Sequence, residues 1–146
     1  MKITKTGQKG IDLIKQFEGF SATPYKCPAG IPTIGYGATF YPDGRKVNMN
    51  DHSITEPQAV ELLKNMLVTF EQYVDAFCRD DINQNQFDAL VSFCYNLGPA
   101  NLKASTLLKK VNINSSDPTI KDEFMKWTKA GGKTLPGLVK RRTAEA

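Results

Sequence analysis

Glu18-Gly19-Phe20-Ser21-Ala22-Thr23-Pro24-Tyr25-Lys26-Cys27-Pro28-Ala29-Gly30-Ile31-Pro32-Thr33-Ile34-Gly35-Tyr36-Gly37 marks the sharpest change of texture in the chain. Its first residue ends a helical pattern, and the Pro/Gly-rich texture after it is one that no helix tolerates. In the lead-in Ile11-Asp12-Leu13-Ile14-Lys15-Gln16-Phe17-Glu18, residues Ile11, Ile14 and Glu18 stand at i, i+3 and i+7, so Glu18 takes a place on the apolar stripe. A carboxyl group held partly out of water has its charged form disfavoured, so it keeps a proton nearer neutral pH and can give it to a leaving oxygen. From helix context two readings of Glu18 stand: a general acid, or a helix-end Glu paired with one of the chain's many cations.

Upstream, residues 6–20 read as a first helix with Thr6 as N-cap and Gly19 near its end. The segment from about 21 to 54 is expected to be a small β-hairpin lobe, with Tyr41-Pro42-Asp43-Gly44 as a turn, because proline presets φ and glycine accepts a positive one. Thr55-Glu56-Pro57-Gln58 then opens a long helix of about 55–78, with Thr55 and Gln58 as a capping box. Its stripe is Val60, Leu63, Leu67, Phe70, Val74 and Phe77. Asn83-Gln84-Asn85-Gln86 caps a buried helix that stops at Gly98-Pro99. Three shorter helices are expected after it, over 101–111, 118–129 (stopped by Gly131-Gly132) and 136 to the end, with no β signal outside the hairpin lobe. The whole is an α+β, mostly helical single domain of residues 1–146, in which one long helix joins a hairpin lobe to a helical lobe (about 79–146) and a cleft lies between the lobes.

Composition narrows the function classes. A chain of 146 residues with an ordinary apolar content buries a core without disulfide staples, and three cysteines (Cys27, Cys78, Cys94) fit a reducing compartment. Cys78 and Cys94 lie on apolar helix faces and read as small core residues. The cysteines show no metal-ligand spacing, and no metal or cofactor is expected. There is no long apolar run, and Met1 to Gly10 alternates lysines with polar residues, so no export or membrane signal is expected. Residues 51–88 carry eight acids against Lys64 and Arg79, while residues 101–146 carry ten bases against four acids. That basic third suits an anionic partner, or is a solvated face; it holds no nucleic-acid reading motif, and no nucleic acid is expected as partner.

Spacing and motif together resemble the phage-type lysozymes, glycoside hydrolase family 24. That family has Glu-Gly, a residue in an acid position nine later, and a Thr fifteen after the Glu inside Thr-Ile-Gly-x-Gly. Here Cys27 and Thr33 stand nine and fifteen residues after Glu18, and Thr33-Ile34-Gly35-Tyr36-Gly37 is in register. Gln84 to Phe93, Asn96-Leu97-Gly98, Ser105 to Leu108, Phe124 to Trp127 and Gly137 to Glu145 extend the similarity over nearly the whole chain.

The resemblance implies a lysozyme-like fold and a muramidase that hydrolyses the β-1,4 bond between N-acetylmuramic acid and N-acetylglucosamine of bacterial peptidoglycan, lysing the host. Glu18 would be the general acid and Thr33 would help to hold the attacking water; the alternative for Thr33 is a plain strand residue. Cys27 stands where several members carry Asp, so the second carboxylate of an inverting glycosidase is missing from that place. Cys27 is read as orienting or activating the water, the alternative being a packed, inert thiol. Ala38 replaces a His that many members carry after the motif, and His52 reads as a surface residue. Arg141 or Arg142 is expected to partner Glu18, and Tyr36, Asn85, Gln86, Phe87 and Asn96 are expected to bind sugars.

Two other functions compete. One is a lytic transglycosylase in which Glu18 acts alone; the other is a non-enzymatic protein that binds cell wall or membrane. The expected setting is the host bacterial cytoplasm until release to the wall, with dependence on a holin-type membrane-permeabilising protein, and the protein is expected to act as a monomer.

Overall fold

The computed structural model describes residues 5–26, 30–78, 82–130, 133–134 and 136–146. Seven helices are described, α1 (Gln8–Glu18), α2 (Glu56–Phe77), α3 (Gln84–Leu97), α4 (Pro99–Ala104), α5 (Thr106–Ile113), α6 (Ile120–Met125) and α7 (Pro136–Glu145). Strands β1 (Ser21–Lys26) and β2 (Pro32–Gly35) pair antiparallel, as do β3 (Lys129–Ala130) and β4 (Lys133–Thr134). The chain divides into two compact units, residues 14–69 and residues 1–13 with 70–146.

In the 14–69 unit the chain leaves α1 through Gly19, whose φ of 73° is open to glycine and whose N–H bonds the Lys15 carbonyl at 3.0 Å. β1 then pairs with β2 through Ser21–Gly35, Tyr25–Thr33 and Lys26–Pro32. The register shifts between Ser21 and Tyr25, which is where Pro24, lacking a backbone donor, sits. The Tyr41–Gly44 turn forms as expected, with the Gly44 N–H on the Tyr41 carbonyl at 2.9 Å. Ile34, Ala38, Val47 and Leu62 make the core of this unit, with Tyr41, Ile54 and Met66 packed against them. The Thr55–Gln58 capping box that opens α2 is present in both directions, at 2.8 and 3.3 Å. Leu63 and Leu67 of the predicted stripe are fully buried, and so is Val74 in the other unit.

The larger unit is built around α3. Asn83 and Gln86 form its capping box, and every residue from Phe87 to Cys94 is buried, as expected for a helix with neighbours on all sides. Phe93 meets Phe124 and Trp127 edge-on at 5.9 and 5.4 Å.

Four local expectations are corrected. Thr6 does not cap α1: its N–H and hydroxyl both donate to Glu71 Oε2 at 2.6 Å, and the helix starts at Gln8. The single helix over 101–111 is two, because the Ser105 hydroxyl donates to the Leu102 carbonyl and accepts the Leu108 N–H, ending α4 and capping α5. The 118–129 helix shrinks to Ile120–Met125. A second antiparallel pair, β3–β4, forms where no β signal was expected, while Gly131-Gly132 lies outside the described residues.

Candidate active site

Glu18 is the last residue of α1 and is half-buried; three residues on, Ser21 begins β1. Its placement follows from local sequence: the apolar stripe anchors α1 through Ile14, which is fully buried, and Gly19 turns the chain at once into the hairpin. Thr33 lies on β2 with 3% exposure, its hydroxyl donating to the Ile31 carbonyl at 2.9 Å. With its proton so committed, the Thr33 oxygen has lone pairs left only to accept. Cys27 lies outside the described residues.

Tyr36 is buried on the segment after β2. Its hydroxyl donates to Glu56 Oε1 at 2.8 Å, its ring packs on Phe20 at 5.6 Å, and the Lys15 ammonium stands 5.4 Å from the ring centre. Lys15 also pairs with the same Glu56 oxygen at 3.1 Å. Burial, then the Glu56 hydrogen bond, raise the Tyr36 pKa; the Tyr36 hydrogen bond, then Lys15, hold the Glu56 carboxyl below its ordinary value.

The other residues predicted from sequence belong to the larger unit. Gln86 is spent on structure, accepting the Asn83 N–H at 2.9 Å and donating to the Ser115 carbonyl at 2.7 Å. Phe87 is 1% exposed, which leaves its ring no face for a sugar. Asn85 is exposed, while Asn96 accepts a hydrogen bond from Arg142. Arg142 has no exposure and pairs with Glu145 at 2.9 Å; Arg141, also buried, lies 3.5 Å from Glu145 and donates to the carbonyl and hydroxyl of Ser92 at 3.2 and 3.3 Å. Burial lowers the Arg142 pKa to about 10 and raises that of Glu145.

Part of the basic third is thus engaged inside the protein, Arg141 and Arg142 sharing one carboxylate. Two further lysines, Lys110 and Lys126, close on the buried Glu123 at 3.0 and 2.9 Å. A cavity of about 330 Å³ in this unit is lined by Asn85, Gln86, Lys121 and Glu145 among others, and by none of Glu18, Thr33 and Tyr36.

Sequence reasoning brings Glu18, Thr33 and Tyr36 into one unit. It missed Lys15 and Glu56, to which the sequence reading gives no role at the site. Among the described residues no group of three or more His, Cys, Asp or Glu side chains is placed to hold a metal ion, and no helix is long and apolar enough to cross a membrane.

A mostly helical chain with a small two-stranded hairpin directly after α1 has the lysozyme-type fold, and the chain belongs to the phage lysozyme family, which matches residues 15–145. The endolysin of Bacillus phage B103 is 43% identical over 143 residues, which are 94% of this chain and 51% of that protein. The endolysin of Acyrthosiphon pisum secondary endosymbiont phage 1 is 39% identical over 142 residues, covering 94% of this chain and 92% of that one. The chain therefore spans about half the length of the Bacillus phage relative and nearly all of the other. Among solved structures, the endolysin from Escherichia coli O157:H7 phage FAHEc1 superposes with a TM-score of 0.86 at 36% identity, over 97% of this chain and 90% of that one.

Proposed function

We propose that this chain is an endolysin muramidase, cleaving the β-1,4 bond between N-acetylmuramic acid and N-acetylglucosamine of peptidoglycan, with Glu18 as general acid. The observation that carries this reading is the position of Glu18 within the family match: the last residue of α1, half-buried, directly before the hairpin that holds Thr33. A carboxyl group so placed is partly shielded from water, and the helix that carries it is anchored by the fully buried Ile14. It protonates the glycosidic oxygen as the bond to the leaving sugar breaks.

Water attacks the anomeric carbon. Thr33, whose hydroxyl hydrogen is engaged with the Ile31 carbonyl, accepts a hydrogen bond from that water and so orients it. Cys27, nine residues beyond Glu18, is proposed as the second group on the water, either as thiolate base or as an orienting dipole. Tyr36 acts as a buried prop of the hairpin. Access to the wall is proposed to follow opening of the host membrane by a holin-type protein; lysis on expression with such a protein, and none without it, supports that route.

The missing carboxylate at Cys27 keeps one other outcome in view, attack by the sugar's own 6-hydroxyl. Mass spectrometry of digested peptidoglycan separates the two. Reducing muramic ends support hydrolysis, and 1,6-anhydromuramic ends would identify a transglycosylase. Rates of Cys27→Ala and Cys27→Asp measured alongside decide the thiol: an unchanged Cys27→Ala removes Cys27 from the mechanism.

A further inference from the structure

The structure assigns Glu56 as a positioning residue, a clamp that fixes the helix turn bearing Glu18 against the hairpin bearing Thr33; this rests on the reading of Glu18 as the general acid. Three observations within the 14–69 unit carry it.

The first is that one oxygen, Glu56 Oε1, receives both sides. Lys15 reaches it from α1 at 3.1 Å, and the Tyr36 hydroxyl reaches it from the hairpin at 2.8 Å. Lys15 is also the residue whose carbonyl accepts the Gly19 N–H, so it closes the same helical turn that presents Glu18. Tyr36 follows Thr33 by three residues.

The second is that the turn is held from its far side too. Phe20, two residues after Glu18, packs on the Tyr36 ring at 5.6 Å. Lys15 and Phe20 thus bracket Glu18 in sequence and both touch Tyr36.

The third is the seat of Glu56 itself. It is the first residue of α2, where the helix dipole favours a carboxylate, and Gly35 backs the hairpin onto the same turn of α2: a Cβ on Gly35 would stand 3.2 Å from the Ala59 side chain. The carboxylate therefore projects from a rigid corner and not from a free surface turn.

An ordinary surface ion pair contributes little, and the side chains of Lys15 and Glu56 are 27% and 46% exposed, so the clamp acts on geometry and not on stability. Small displacements of a reacting group cost rate far more than they cost folding.

The test is steady-state kinetics on soluble peptidoglycan fragments for wild type, Glu56→Ala, Glu56→Gln, Tyr36→Phe and Glu18→Gln, with the folded fraction of each measured at the assay temperature. Glu56→Ala is expected to lower kcat about 10-fold per folded molecule with KM changed less than about twofold. Glu56→Gln, which keeps an oxygen for Tyr36 but no charge for Lys15, is expected to fall between Ala and wild type. Full kcat in Glu56→Ala beside an inactive Glu18→Gln overturns the clamp while leaving the catalytic reading intact. A kcat loss that vanishes on normalising to the folded fraction overturns it as well. An active Glu18→Gln overturns the catalytic reading and the clamp with it.

Discussion

Arg142 and Glu145 form an ion pair at 2.9 Å in which neither side chain has any exposure to solvent. Glu145 is shared, since Arg141 lies 3.5 Å away and the Ser92 hydroxyl donates to it. Two cations therefore rest on one buried carboxylate. Removing one member of a buried pair leaves its partner's charge uncompensated, at a cost of about 3–5 kcal/mol. Glu145→Gln should reach that range, and Arg142→Met should cost less because Arg141 stays on Glu145. Urea unfolding of both variants checks the order; equal losses would mean that Glu145 is not the hub.

Gly10 presses on Asp88. A Cβ at Gly10 would stand 2.6 Å from Asp88 Cβ and Cγ and 2.8 Å from Thr6 Cγ2. Asp88 cannot step aside freely, since it accepts the Gly7 N–H at 2.9 Å and the Gln84 amide at 2.7 Å. Helix propensity alone favours Ala over Gly by about 1 kcal/mol, whereas overpacking costs about 1–3 kcal/mol. The contact should win, so Gly10→Ala is expected to lower the midpoint of thermal unfolding. A raised midpoint would show that α1 and α3 are not in contact there.

Glu123 sets part of the acid sensitivity. Hydrogen bonds from Lys126, then Lys110, hold its carboxyl below the ordinary value. A carboxyl with a lowered folded pKa contributes stability that is fully present above its unfolded pKa of about 4.3 and is lost as pH falls through the folded value. Glu123→Gln should therefore be destabilising at pH 7 by about 1.5–3 kcal/mol, in line with hydrogen bonds to charged groups. The gap to wild type should close below pH of about 4. A gap that is independent of pH would place the loss in packing.

The two described thiols should be silent. Burial pushes Cys78 and Cys94 up to about 12, so almost no thiolate exists at pH 8. A thiol reagent should modify them only after denaturation, and any thiol titrated in the native protein should then be Cys27. Native-state labelling of Cys94, followed by peptide mapping, would contradict this.

What the sequence made legible was local. The capping boxes at Thr55 and Asn83 and the turn at Tyr41–Gly44 each close within four residues, so residue type and spacing suffice to find them. The helix-end place of Glu18 was legible for the same reason: an apolar stripe ran into glycine. What escaped notice depends on partners remote in sequence. Nothing near Thr6 announces that Glu71, 65 residues away, takes both of its donors. Ser105 reads as an ordinary helix residue until its hydroxyl is seen to serve Leu102 and Leu108 together. Lys15, Tyr36 and Glu56 carry no shared motif, and only folding brings them to one oxygen. Burial was the other gap, because nothing in the local sequence marks Arg142 as fully enclosed.

If Glu18 donates the proton that breaks the glycosidic bond, Glu18→Gln should abolish the reaction, since the amide keeps size and polarity but has no acid proton to give. The measurement is the clearing rate of a peptidoglycan suspension by wild type and Glu18→Gln at matched folded concentration. We expect the variant to lose at least about 100-fold, the scale of general acid catalysis. Clearing at the wild-type rate would mean that Glu18 is not the proton donor.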